Sequence, residues 1–377
     1  MKILSYKAGG PPDYGMQFPQ MDFGKLNLVV GNSGAGKTRL LNTIFNGARM
    51  VVQKEQLIYT GFWEMTIEHN SDTYRWIIET SKNEDDNENQ VISEQVIKCI
   101  GVEESLIVDR ALNYFKFKDK DLPKLPQDKS AITLLKNEDA INPIYEALKL
   151  IMRRNFSGAE LEKACAYENL QHDLFNKIKS RRDIRDLFHS GFNLSCKLYV
   201  LSQVFKERFD SVCNEFKSIF PFVSEVGLRK SDEFGVHYPG IIPVFALKEK
   251  FSDRWLPLNQ FSSGMLKVLL ILSDIHILPD DGCVYLIDEF ENSLGINAIH
   301  FFPPLHYEGA ANSQFIITSH HPYIIGHIPV KDWLVLHRKG NYVEIQQGRE
   351  LEAKYGKSKQ EAFIQLINDP FYVEGIK

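Results

Sequence analysis

Cysteine is sparse in this chain of 377 residues and falls without pattern. Cys99, Cys165, Cys196, Cys213 and Cys283 include no C-x-x-C pair. That spacing excludes a disulfide framework or a zinc cluster as the basis of the fold and reads as buried free thiols in a reducing compartment. Long apolar runs are missing too. The longest, Met265 to Leu278, is broken by Lys267, Ser273, Asp274 and His276, too short and too polar to span a bilayer. Met1 to Lys7 carries no apolar core of a secretory signal, so a cytoplasmic protein without membrane attachment is expected. No internal repeat, low-complexity tract or sustained heptad array is present, which excludes a solenoid and a long coiled coil. Neither charge sign dominates: 44 Lys and Arg face 49 Asp and Glu, a net charge of -5. A wholesale nucleic-acid coat is thereby excluded, though a local basic patch is not.

What remains is ordinary globular composition, 44% hydrophobic and 25% charged, long enough for one large two-lobed domain. Residues 2–7 and 26–30 read as strands, with a helix from Lys37 to Met50. Alternation at Phe62–Glu68, Thr73–Glu79, Gln90–Cys99 and Leu106–Phe117 predicts an antiparallel β layer, with residues 83–89 as a solvated hairpin loop. After a connector with Pro123 and Pro126, the chain from Ser130 to about Ile219 has helical periodicity, Leu148 and Ile151 included. Strands are expected at Glu225–Lys230 and Ile241–Lys248, then a helix from Ser263 to Leu278. The short apolar runs Val284–Asp288, Gln314–Thr318 and Trp333–His337 have the β-α-β spacing of a buried parallel sheet. Trp333–Ile345 suggests a hairpin and Lys357–Ile367 a last helix.

Three stretches carry chemistry. Gly31-Asn32-Ser33-Gly34-Ala35-Gly36-Lys37-Thr38 fits G-x-x-x-x-G-K-[ST] and lies between the strand Leu26–Val30 and the helix that follows. Its glycines let backbone N–H groups turn inward on a polyphosphate, and the helix start adds its dipole. Lys37 can reach the β- and γ-phosphates and Thr38 can ligate Mg2+. Gly31 through Arg39 are thus the candidate nucleotide-binding stretch. Val284-Tyr285-Leu286-Ile287-Asp288-Glu289 is an apolar strand ending in two carboxylates at a sheet's ligand-binding edge. Asp288 is the candidate Mg2+ ligand and Glu289 the candidate base for an attacking water. Ser262 or Ser263 caps the Ser263–Leu278 helix, whose N–H groups form a second anion site.

Phe261-Ser262-Ser263-Gly264-Met265 resembles the signature of ABC ATPases, commonly L-S-G-G-Q, with departures at Phe261, Ser263 and Met265. The resemblance implies that Ser262, Ser263 and Gly264 bind the γ-phosphate of ATP held by the phosphate loop of a second copy. It aligns Phe290–Gly295 with the loop that meets the partner subunit. It also aligns Ser319-His320-His321-Pro322 with the switch-histidine loop, His320 contacting the γ-phosphate. Gln127 stands where the family's Mg2+-sensing glutamine loop falls, although an ordinary polar loop fits the same residues. The implied fold is α/β, a P-loop ABC-type ATPase head with an antiparallel β subdomain and a helical insertion. Residues 1–130 would form the ATP-binding lobe, 131–260 the helical insertion, and 261–377 the signature helix, Asp-Glu strand, switch loop and terminal hairpin and helix.

The order of motifs resembles that of the ABC ATPase domain, and the N-terminus, the short loop after Glu289 and the His-x-Pro ending at His320 to Pro322 are most similar to the compact soluble overcoming-lysogenization-defect, RecF and SMC-like group. After the switch loop too little chain remains for the Toprim nuclease domain many of that group carry. The resemblance therefore implies a slow, regulatory ATPase that uses ATP and Mg2+ and assembles as a homodimer or higher even oligomer. It would act on a separate effector such as a nuclease or toxin, in bacterial antiphage defence. A RecF/SMC-like repair ATPase that binds DNA is the alternative. Lys177, Lys179, Arg181, Arg182 and Arg185 would form its basic face, interrupted by Asp183 and Asp186. A transporter subunit lacks support from the loose signature and large insert, and a small-molecule kinase would need neither signature helix nor switch histidine.

Overall fold

The computed structural model describes residues 1–11, 15–53, 59–83, 88–155, 170–235, 242–291, 312–356 and 358–375. In chain order its strands are β1 (Lys2–Gly9), β2 (Gln17–Asp22), β3 (Leu26–Val30), β4 (Gly61–His69), β5 (Asp72–Lys82), β6 (Asn89–Ile100), β7 (Glu103–Ala111), β8 (Phe115–Phe117), β9 (Lys120–Asp121), β10 (Ile151–Asn155), β11 (Val223–Arg229), β12 (Val244–Glu249), β13 (Trp255–Pro257), β14 (Val284–Asp288), β15 (Gln314–Thr318), β16 (Trp333–Lys339) and β17 (Tyr342–Gln347). The chain divides into two compact units. The first holds residues 1–154, 281–290 and 313–377, and the second holds 155–280 and 291–312.

The first unit is built on one sheet in the order β10-β14-β15-β3-β16-β17-β2-β1-β4-β5-β6-β7-β8-β9. Strands β14, β15, β3 and β16 run parallel. Every residue of β3, β14 and β15 is buried, as continuous apolar strands in a covered parallel sheet require. Their common direction brings Gly31, Asp288 and Ser319 to one carboxyl edge. From β4 to β8 the sheet is an antiparallel meander. Alternating burial along β4 and β5 matches the expected half-buried layer. The hairpin after the switch loop is β16 with β17, and the last long helix spans Lys359–Asn368.

Helical periodicity through Ile151 does not hold. The helix Asn142–Lys149 stops at Leu150, and Ile151–Asn155 is a strand beside β14, to which the Leu150 carbonyl is already bonded by Val284 N–H at 2.9 Å. Five residues with one buried apolar side chain carry no two-residue alternation, so sheet pairing decides the conformation. Strands β2 and β13 also went unread, being short and punctuated by proline.

The second unit packs helices against the small antiparallel sheet β11-β12-β13. The helix Ser263–Ile277 is its centre, with Val268 to Leu272 and Ile275 to Ile277 turned inward apart from His276. Lys197 and Asp274 form a buried ion pair at 3.0 Å. Phe261 is buried against Phe216 and Phe245 at ring separations of 6.0 and 6.3 Å. The described cysteines, Cys99, Cys196, Cys213 and Cys283, are free thiols. No helix among the described residues is long and apolar enough to cross a membrane.

Candidate nucleotide site

The phosphate loop joins β3 to the helix Lys37–Val52. Gly36 starts that helix at φ 104°, a left-handed backbone that favours glycine. A side chain there would also lie 3.1 Å from Met16 Sδ. Leu40, Leu41, Ile44, Ala48 and Val51 bury the other face of the helix, which fixes the loop against the sheet. Lys37 Nζ donates to the loop's own carbonyls, Gly31 O at 2.6 Å and Asn32 O at 3.1 Å, and so lies folded across the loop.

Three oxygens converge at the end of β14. The Thr38 hydroxyl donates to Asp288 Oδ1 at 3.1 Å. The Thr318 hydroxyl donates to the same oxygen at 2.8 Å and accepts from Glu289 N–H at 2.8 Å. Arg153 of β10 reaches Asp288 Oδ2 at 3.4 Å. Glu289 itself is left-handed, φ 49°, a conformation costing about 1–3 kcal/mol that surrounding bonds must hold. The bonds from its N–H and from Phe290 N–H to Thr318 O, at 3.0 Å, supply them.

Glycines 31, 34 and 36, Asn32, Ser33, Lys37, Thr38, Arg39, Glu289, Thr318, Ser319 and His320 line one cavity of about 780 Å3, shared with Met16, Asn42, Arg338 and Tyr372. This volume is within the range of small-ligand sites. Ala35 is buried beneath the loop. Of the two histidines, exposed His320 faces the cavity. His321 Nδ1 accepts from Tyr323 N–H at 3.2 Å and so caps the short helix Pro322–Ile325.

Gln127 is not brought to this cavity. Its side chain is exposed and its carbonyl accepts from Val91 N–H at 2.8 Å. Arg110 grips the carbonyls on either side, Pro126 O at 3.2 Å and Lys129 O at 2.7 Å. The connector is thus tied to the β layer. In the second unit, Ser262 is the cap of its helix, its Oγ accepting from Met265 N–H at 3.3 Å. Ser262 and Ser263 are exposed and Gly264 half-buried. The partner-facing loop is described only at Phe290 and Glu291; its residues 292–295, like 84–87 of the acidic hairpin loop, lie outside the described residues. Within the basic stretch, Asp186 pairs with Lys177 at 2.7 Å and with Arg181 at 3.8 Å, which neutralises part of it.

Thr318 and Arg153 escaped sequence reading. Thr318 ends an apolar strand and is no part of any spaced motif. Arg153 stands in no spaced motif, and only its sheet neighbour gives it meaning.

Fold and site together define an ABC-type ATPase head: a parallel core, a phosphate loop, a Thr-Asp pair and an acidic residue at one carboxyl edge. The chain belongs to the family described as "AAA domain, putative AbiEii toxin, Type IV TA system", which matches residues 26–326. No curated protein matches it. Among solved structures it is similar to an SMC head bound to the C-winged helix domain of ScpA, with 13% identity, 92% of this chain and 98% of that chain covered, and a TM-score of 0.51. An SMC head domain from Thermotoga maritima aligns at 12% identity, 92% and 99% coverage and a TM-score of 0.42. An SMC head with an extended coiled coil bound to the C-terminal domain of ScpA, derived from Pyrococcus furiosus, aligns at 12% identity, 91% and 95% coverage and a TM-score of 0.45.

Proposed function

We propose that this chain binds and hydrolyses ATP with Mg2+, slowly, in the cavity at the carboxyl edge, and that two copies close around two nucleotides to gate a separate effector in the cytoplasm. The carrying observation is the hydrogen bond from Thr38 to the buried Asp288, which joins the phosphate loop to the acidic strand beside the cavity that Thr38 and Glu289 line. The donors there are hydroxyl and carboxylate oxygens. No group of three His, Cys, Asp or Glu side chains able to hold a metal occurs among the described residues. That set suits Mg2+, which binds through one or two carboxylates and completes its shell with phosphate and water.

Thr38 and Asp288 would hold the ion. When bound, it neutralises charge on the β- and γ-phosphate oxygens. Lys37 would leave the Gly31 and Asn32 carbonyls for the same phosphates. Glu289 would orient an attacking water and accept its proton, and Thr318 keeps the Glu289 backbone in the conformation that makes this possible. His320 would hydrogen-bond the terminal phosphate. Ser262, Ser263 and Gly264 of a second copy would bring a capped helix start to that phosphate.

A role in antiphage defence through an effector is part of this proposal, beside a family description that names a putative toxin of a type IV toxin–antitoxin system. The similar SMC head bound to part of ScpA supports a protein partner. Pairing of Lys177 and Arg181 with Asp186 weighs against the DNA-binding alternative. The test is steady-state hydrolysis beside equilibrium binding. Glu289→Gln should bind ATP as the native chain does while hydrolysis falls at least about 100-fold, and Lys37→Ala should lose binding. Unchanged hydrolysis in Glu289→Gln would remove Glu289 from the mechanism.

A further inference from the structure

The phosphate loop, Glu289 and His320, with Asp288 behind Thr38, account for phosphate and metal chemistry, yet the cavity that the loop, Glu289 and His320 line is also lined by Met16, Arg338 and Tyr372. Tyr372 belongs to the short helix Pro370–Val373, far from the phosphate loop in sequence. That segment is fastened from several directions. Asp369 caps it, Oδ1 accepting from Phe371 N–H at 2.9 Å, while Lys354 and Tyr355 both donate to Oδ2. His337 Nδ1 bonds Phe371 O at 2.8 Å. Asn32 of the phosphate loop donates to Val373 O at 3.1 Å. Arg338 N–H donates to Gly375 O at 2.9 Å, and its guanidinium reaches Gly34 O at 3.4 Å. Gly375 lies so close to Asn32 that a Cβ would come within 2.4 Å of its amide nitrogen.

These contacts fasten the segment that carries Tyr372 to Asn32 and, through Arg338, to Gly34 of the phosphate loop, and Tyr372 is half-buried there. Met16 flanks the same stretch, against Gly36. An aromatic ring and a polarisable thioether are poor phosphate ligands but good surfaces for a flat π-system. Burial pushes the phenol's titration up, so the ring stays neutral.

We propose that Tyr372, with Met16, is the wall against which the base of the bound nucleotide lies, so that the C-terminal helix sets the base end of the pocket. This rests on the reading of the cavity as a nucleoside triphosphate site. A stacked base weakens binding by about tenfold when its aromatic partner is removed.

The experiment compares ATP with inorganic tripolyphosphate, which has the phosphates and no base, by calorimetric titration of the full chain with Mg2+. Tyr372→Ala should weaken ATP about tenfold and leave tripolyphosphate unchanged, and Tyr372→Phe should keep the native ATP affinity. Equal losses for both ligands in Tyr372→Ala would overturn the proposal in favour of a purely structural strap, as would unchanged ATP affinity. A native chain that binds neither ligand would instead remove the phosphate-site reading beneath it.

Discussion

Glu94 offers the sharpest test of how the β layer is held to the rest of the first unit. Its carboxylate is fully buried and accepts from Trp76 Nε1 at 3.0 Å, from Ala131 N–H at 2.6 Å and from Ser130 Oγ. Arg110 Nε lies 3.2 Å from Oε2 as an ion contact without hydrogen-bond alignment, its side chain 5% exposed. Burial lowers the Arg110 pKa and Glu94 opposes that shift. Glu94→Ala leaves the guanidinium buried without its counter-charge, which costs about 3–5 kcal/mol. Glu94→Leu with Arg110→Met removes both charges, so the double variant should lose about 1–3 kcal/mol less than the sum of its two singles. Urea denaturation followed by tryptophan fluorescence reads this well, since Trp76 is part of the network. A loss under about 1 kcal/mol for Glu94→Ala, or strict additivity in the cycle, would refute the reasoning.

Burial alone would raise the Asp369 pKa, but the bonds from Lys354, Tyr355 and Phe371 N–H outweigh it and hold the carboxyl below its usual range. A depressed folded value contributes stability above the unfolded pKa of about 3.9 and loses it as pH falls through the folded value. The urea midpoint of the native chain should therefore exceed that of Asp369→Asn at neutral pH, by about 1–2 kcal/mol in stability, with the gap closing as acid is added. A gap that widens in acid would contradict this sign. Cys213, whose thiol burial pushes up to about 12 with a further push from Asp210, should resist alkylation at mildly alkaline pH until the chain unfolds. Peptide mass mapping that finds it modified in the folded chain would count against its burial.

The phosphate loop was legible because its chemistry is contiguous: the glycines, Lys37 and Thr38 must follow one another for one loop to wrap a polyphosphate. Asp288 and Glu289 were legible because a fully buried strand announces itself as an apolar run and its last residues reach the carboxyl edge. Phe261, a departure from the common signature, has its reason only in packing, since it fills space between Phe216 and Phe245. Arg153 was hidden because a five-residue edge strand after a helix has no period of its own. Gln127 misled because polar loops between a β layer and helices look alike, and its connector is in fact spent on Val91 and Arg110. Tyr372 was invisible because nothing in the order of residues says that the end of the chain returns to its beginning.

Two copies are proposed to share each nucleotide, and the mass of the Glu289→Gln chain in solution with Mg2+ and ATP measures that directly by light scattering. The expected result is a dimer with nucleotide and a monomer without it, and a return to monomer when exposed Ser263 is also changed to Arg. A chain that stays monomeric with ATP, or a dimer indifferent to Ser263→Arg, would contradict it.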